Sequence, residues 1–137
     1  MQSLFRLTAV SLVLSAPVMA QDYLTFQSPT GNIHCAMGIW NGQADARCDL
    51  ADLVPSYTKE PADCDLDWGF AFAVGRTGKG ALACAGDTVR DPGNPVLPYG
   101  EAVSLGGISC VSAKTGVTCT NAEGHGFSVA KAKQRIF

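Results

Sequence analysis

From Ile33 to Leu50, hydrophobic and polar positions alternate with period two on either side of Asn41-Gly42. Ile33, Cys35, Met37 and Ile39 on one arm share a face with Ala44, Ala46, Cys48 and Leu50 on the other, while His34, Asp45, Arg47 and Asp49 share the opposite face. Asn-Gly is the pair that best tolerates the two positive φ angles of a type I′ turn. With those two residues as the loop, Trp40 faces Gln43, and every later pair has numbers summing to 83, so Cys35 stands opposite Cys48. Counted outward from a hydrogen-bonded Trp40:Gln43 pair, the cysteines fall at a non-hydrogen-bonded position. Cα atoms there are about 4.5 Å apart, within disulfide range. The pattern therefore predicts a hairpin stapled by Cys35–Cys48, with one face in the core and the other, carrying His34 and Asp49, in water.

The rest of the chain repeats this grammar. Tyr23, Leu24 and Phe26 predict a first strand within 22–27, turned back by Ser28-Pro29-Thr30-Gly31. Ala51 to Asp63, broken by Pro55 and Pro61, reads as a surface connection with one helical turn around Ala51 to Val54. Residues 66–74 are apolar on both faces and predict a central strand. The Gly-rich run 75–80 then turns it into Ala81-Leu82-Ala83-Cys84, and pairing Cys64 with Cys84 would tie the two ends of this hairpin together. Gly86 to Gly100 reads as a long ordered loop with a type II turn at Asp91-Pro92-Gly93-Asn94. Strands are predicted at 101–105, 108–112, 117–121 and 127–130, ahead of a polar tail ending in Ile136-Phe137. Cys110 and Cys119 sum to 229, as do Ser112 and Val117, so an even loop sets them opposite one another; a Gly bulge at Gly116 would shift them by one. Eight or nine short antiparallel strands make an all-β barrel or sandwich.

Composition and the N-terminus set the compartment. Residues 1–20 carry Arg6, an apolar run from Leu7 to Leu14, Pro17, and small residues at Val18 and Ala20, the layout of a secretory signal peptide. Leu7 to Ala20 is too short to cross a hydrocarbon core of about 30 Å, and no cysteine near residue 20 could accept a lipid. The expected mature domain is a single unit over residues 21–137. All six cysteines lie within it, and an even count in an exported chain reads as a disulfide framework. Three such bridges contribute about 3 kcal/mol each on the chain-entropy view. No C-x-x-C pair occurs, which argues against zinc. Ten Lys and Arg stand against twelve Asp and Glu, and loss of Arg6 with the leader makes the balance more acidic. With no basic stripe, nucleic acid is an unsuitable partner. The run G-R-T-G-K-G lacks the spacing, the Ser or Thr, and the helix of a phosphate loop.

Several motifs together carry a resemblance: Phe26 to Cys35 (F-Q-S-P-T-G-N-I-H-C), Cys64-Asp65-Leu66-Asp67-Trp68-Gly69, Cys84 to Thr88, Leu97-Pro98-Tyr99-Gly100, and Gly116-Val117-Thr118-Cys119 through Gly124-His125-Gly126-Phe127. The chain resembles a family of short exported bacterial proteins classed as a domain of unknown function. That resemblance implies a secreted or envelope-attached single domain holding these cysteines, and brings no catalytic residues with it.

Candidate chemistry is sparse. A Ser-His-Asp or Cys-His nucleophile needs a base, and the histidines are His34 and His125. His125, between two glycines, is expected to hold its turn by bonding a backbone carbonyl. Asp65, Asp67 and Asp87, brought near one another by a Cys64–Cys84 bridge, are the carboxylates that could act with it or hold calcium. Trp68 at a strand start is a further candidate, and Trp40 stands beside the turn on the polar face; an exposed Trp suits carbohydrate or protein contact, while a part-buried core position is the commoner outcome for this residue type. With no complete catalytic constellation, the reading is a non-enzymatic, monomeric binding module for a protein or envelope component, without cofactor or metal. The alternative is a small hydrolase or metal-dependent enzyme using His125 with those aspartates.

Overall fold

The alternation around Asn41-Gly42 becomes a hairpin in the computed structural model, which describes residues 9–15 and 22–137. Ten strands are found among the described residues: β1 (Tyr23–Gln27), β2 (Ile33–Trp40), β3 (Gln43–Leu50), β4 (Ala71–Gly75), β5 (Ala81–Leu82), β6 (Ala102–Leu105), β7 (Ile108–Ala113), β8 (Gly116–Asn121), β9 (Gly126–Val129) and β10 (Gln134–Ile136). They form two antiparallel sheets, β1-β2-β3-β4-β5 and β10-β9-β8-β7-β6. The sheets stack without closing on each other, so the architecture is a sandwich rather than a barrel. The expected leader lies outside the described residues except for 9–15, which are exposed and without regular structure.

Turn chemistry sets the register. Asn41 and Gly42 take φ of 51° and 74°, Trp40 pairs with Gln43, and Cys35 pairs with Cys48. The Cys110–Cys119 staple also falls in register: Lys114-Thr115 is a two-residue loop, Ala113 pairs with Gly116, Cys110 pairs with Cys119, and no bulge intervenes. Bridges join Cys35–Cys48, Cys64–Cys84 and Cys110–Cys119. The first and third meet across the sandwich, with Cys48 Sγ 3.8 Å from Cys119 Sγ. Around them pack Met37, Phe72, Ile108, Val117 and Phe127, all buried, with the Phe72 and Phe127 rings 6.3 Å apart. Burial of each large side chain contributes about 1.5–3 kcal/mol.

Four expectations about local backbone structure are corrected by the structure. No helical turn forms at 51–54, a stretch that instead runs alongside the C-terminal segment. There Val54 N–H donates to Lys131 O and Ser56 N–H to Gln134 Oε1. The strand expected over 66–74 begins only at Ala71, because Asp67 is held to Ala85 by an isolated bridge. The turn at 91–94 closes through Asn94 N–H to Asp91 O, but Gly93 does not take the positive φ of type II. Its N–H donates instead to Asp91 Oδ1 at 2.8 Å, the local bond by which aspartate initiates turns. Finally, the polar tail is the edge strand β10. Gln134 is buried, with Nε2 donating to Ala130 O and Val54 O, and Phe137 exchanges backbone bonds with Gly126.

The largest difference concerns the outer face of the first sheet. Three rows of side chains cross it: Tyr23-Gly38-Asp45-Gly75, then Thr25-Ala36-Arg47-Ala73, then Gln27-His34-Asp49-Ala71. The long loop folds back over the third row. It is zipped to the β1 edge by Gln27 N–H to Pro95 O and Leu97 N–H to Gln27 O, with Leu97 plugged into the core. His34 and Asp49, expected in water, are 6% and 0% exposed. The alternation placed them on the correct face; the face is roofed.

Exposure separates the three bridges. Cys35, Cys48, Cys110 and Cys119 are sealed in the core, whereas Cys64 is half-buried and Cys84 exposed. Thiol–disulfide exchange requires access to a sulfur. Mild reduction of the folded protein followed by alkylation and peptide mapping is expected to label Cys64 and Cys84 first and leave the other four unmodified until the domain unfolds.

Candidate functional site

The roof is fastened by a buried carboxylate. Arg47 and Asp49 lie two residues apart on one face of β3, and Arg47 grips Asp49 in a fork, Nε to Oδ1 at 2.8 Å and Nη2 to Oδ2 at 2.9 Å. From the loop, Thr88 Oγ1 donates to Asp49 Oδ2 at 2.9 Å and Val89 N–H at 3.0 Å. Four donors thus satisfy one buried carboxylate. Nearby, His34 Nε2 lies 3.0 Å from Gly31 O, and His34 Nδ1 lies 3.2 Å from Asn94 Nδ2 and 3.4 Å from Asp91 N. Because a carbonyl can only accept, Nε2 carries the hydrogen and Nδ1 receives the two loop donors.

Arg47 also reaches outward. Its Nη1 donates to Asp87 Oδ1 at 2.9 Å and its Nη2 to the Asp87 carbonyl at 3.0 Å. The hydrogen bond from Arg47, followed by its charge, holds the Asp87 carboxyl below the usual carboxylate range. Burial acts to lower the basicity of Arg47, but its bonds to Asp49 and Asp87 outweigh that and raise it. The guanidinium is a fixed, permanently charged step between the roofed and open halves of the face.

On the open half lies a cleft of about 340 Å³, floored by Ala36 and Gly38 and walled by Tyr23, Trp40, Asp45, Arg47, Asp87 and Val89. Trp40 leans back along its strand and lies over Gly38: a Cβ at residue 38 would come within 2.7 Å of the indole. The indole is pinned from the side by Nε1–H donating to Asp45 Oδ1 at 3.0 Å, and Tyr23 flanks it with ring centroids 5.9 Å apart at 54°. Trp40 remains 57% exposed and Tyr23 49%. A fixed, half-exposed aromatic pair beside ordered charged groups has the make-up of a ligand site, apolar surface for affinity and a few polar groups for orientation.

The residues singled out from the sequence are dispersed. Trp40 and Asp87 border this cleft, Asp87 as the partner of Arg47. Asp67 and Asp87 share a neighbouring cleft of about 390 Å³ that includes Phe70, Thr88 and Arg90. Asp65 is exposed and Trp68 half-buried. His125 sits on the β8–β9 turn of the second sheet and borders neither cleft. Among the described residues, no group of three or more His, Cys, Asp or Glu is placed to hold a metal ion.

The expected role of His125 as a strut belongs to a neighbour. Its imidazole makes no hydrogen bond among the described residues; Asn121 does the work, with Oδ1 accepting from Glu123 N–H and His125 N–H and Nδ2 donating to Gly75 O and Gly78 O. All four bonding capacities of one buried amide join the β4–β5 and β8–β9 hairpin tips. An Asn at the start of a Gly-containing turn was the available signal. Asn121→Ala is expected to cost about 1–3 kcal/mol in urea unfolding, while His125→Ala leaves the midpoint nearly unchanged.

A family of unknown function, DUF6636, matches the chain over residues 6–137. No curated protein and no solved structure matches it. With nearly the whole sequence covered, the chain belongs to the DUF6636 family.

Proposed function

We propose that this protein is a non-enzymatic, monomeric binding module, exported from the cell, that captures an envelope component in the cleft beside Trp40. Export is supported by three disulfides with no free cysteine among the described residues, a pattern that persists in oxidising compartments. The observation that carries the binding reading is the seating of Trp40. Placing glycine at residue 38 costs the strand packing and conformational stability, yet it lets the indole lie flat on the sheet in a fixed orientation, with Asp45 fastening its N–H. Such preorganisation lowers the entropy lost on binding. Among the described residues no helix is long and apolar enough to cross a membrane, and the rigid stapled sandwich suits a presented surface rather than a moving active site.

Gly38→Ala tests this directly, since the three atoms nearest the added methyl all belong to the Trp40 indole, a side chain 57% exposed and free to swing outward. It is expected to displace the indole while leaving the melting temperature nearly unchanged. Immobilised wild-type protein incubated with envelope extract should retain a component that both Gly38→Ala and Trp40→Ala fail to retain. Equal retention by all three proteins would show that the cleft is not the binding site.

A further inference from the structure

Resting on that reading of the cleft, we infer that the group it selects is a compact organic cation, a primary or quaternary ammonium. The charges argue for it first. Asp45 and Asp87 border the cleft and Asp49 lies behind it, against the single guanidinium of Arg47. That guanidinium is committed: four of its hydrogen bonds go to Asp49 and Asp87, so at most one of its five N–H groups is left for an incoming ligand. An anion would meet carboxylates with almost no donor to receive it. A cation would meet Asp87, whose side chain is 80% exposed and is kept ionised by Arg47.

The aromatic groups point the same way. An ammonium is attracted to the negative face of an aromatic ring, best of all to tryptophan. Trp40 rests against Gly38 and is still 57% exposed, and Tyr23, tilted at 54° to it, makes a two-walled corner. The bond from Nε1–H to the Asp45 carboxylate draws electron density into the indole, which strengthens that face as a cation acceptor. Corner and counter-ions adjoin in one cleft of about 340 Å³, a size that admits a headgroup or a single sugar ring.

Two sources share this chemistry, an alkylammonium such as choline and the protonated amine of an amino sugar. The test follows the Trp40 indole N–H resonance, assigned with Trp40→Phe, on adding choline, glucosamine, glucose or N-acetylglucosamine at constant ionic strength and mildly acidic pH. Saturable shifts with choline or glucosamine but not with the two neutral sugars are expected, and the tighter cation names the source. Asp87→Asn should weaken the response about tenfold, as loss of a counter-ion beside an aromatic cation site requires. Equal shifts from neutral sugars, or an unweakened Asp87→Asn, would overturn cation selection and leave the cleft standing as a stacking site. If neither cation shifts the resonance while Trp40-dependent retention from envelope extract persists, the inference falls and the binding reading survives; if that retention fails as well, both fall.

Discussion

The carboxylate of Asp49 is the constraint around which the outer half of this molecule is arranged. A charged group with no exposed surface is tolerated only when its lone pairs are filled, and removing a partner from such a site costs about 3–5 kcal/mol. Arg47 supplies two donors from the same strand, but the remaining two come from Thr88 and Val89, nearly forty residues further on. The loop therefore folds back over the sheet to complete the carboxylate's bonds. In doing so it roofs one half of the face, delivers Asp87 to Arg47, and creates the step at which the cleft begins.

Beneath that arrangement the two core disulfides play the complementary part. Each joins directly facing residues of a hairpin, and the two meet sulfur to sulfur across the sandwich. A sheet held in register on its inner face can present a fixed outer face. Gly38 and Asp45 face each other because the bridge keeps β2 and β3 from slipping, Tyr23 joins their row through the β1–β2 ladder, and Trp40 finds its seat in that row only in this register.

How much of this was legible follows from the range of each signal. Asn41-Gly42 and the paired cysteines act over a few residues, so the β2–β3 register and its bridge could be read directly, and the β7–β8 bridge up to the choice between an even loop and a bulge at Gly116. Period-two alternation says which face a residue occupies and nothing about what later covers it, which is why Asp49 and His34 read as solvated. Gln134 in β10 is a similar case: a short polar strand acquires its burial from Val54 and Ser56, far away in sequence. The site was half legible. Trp40 could be placed on the polar face beside the turn, but the importance of Gly38 appears only once the indole is seen to lie on it. Asp87 was singled out for its distance to other aspartates and matters instead as the partner of Arg47. His125 drew notice through its flanking glycines, whereas the bonds that hold its turn belong to Asn121, whose role depends on two hairpin tips meeting in space.

Whether the Asp49 clamp builds the roof can be read from one amide. Val89 N–H lies in a loop, where backbone amides exchange freely unless bound, and its acceptor is Asp49 Oδ2 at 3.0 Å. Native-state hydrogen exchange followed residue by residue should show Val89 protected to a degree comparable with the β2–β3 ladder, because opening that bond exposes a buried charge. Exchange of Val89 at the rate of an unprotected amide, with β2 and β3 still protected, would show that the loop is not clamped and would contradict the account of how this face is built.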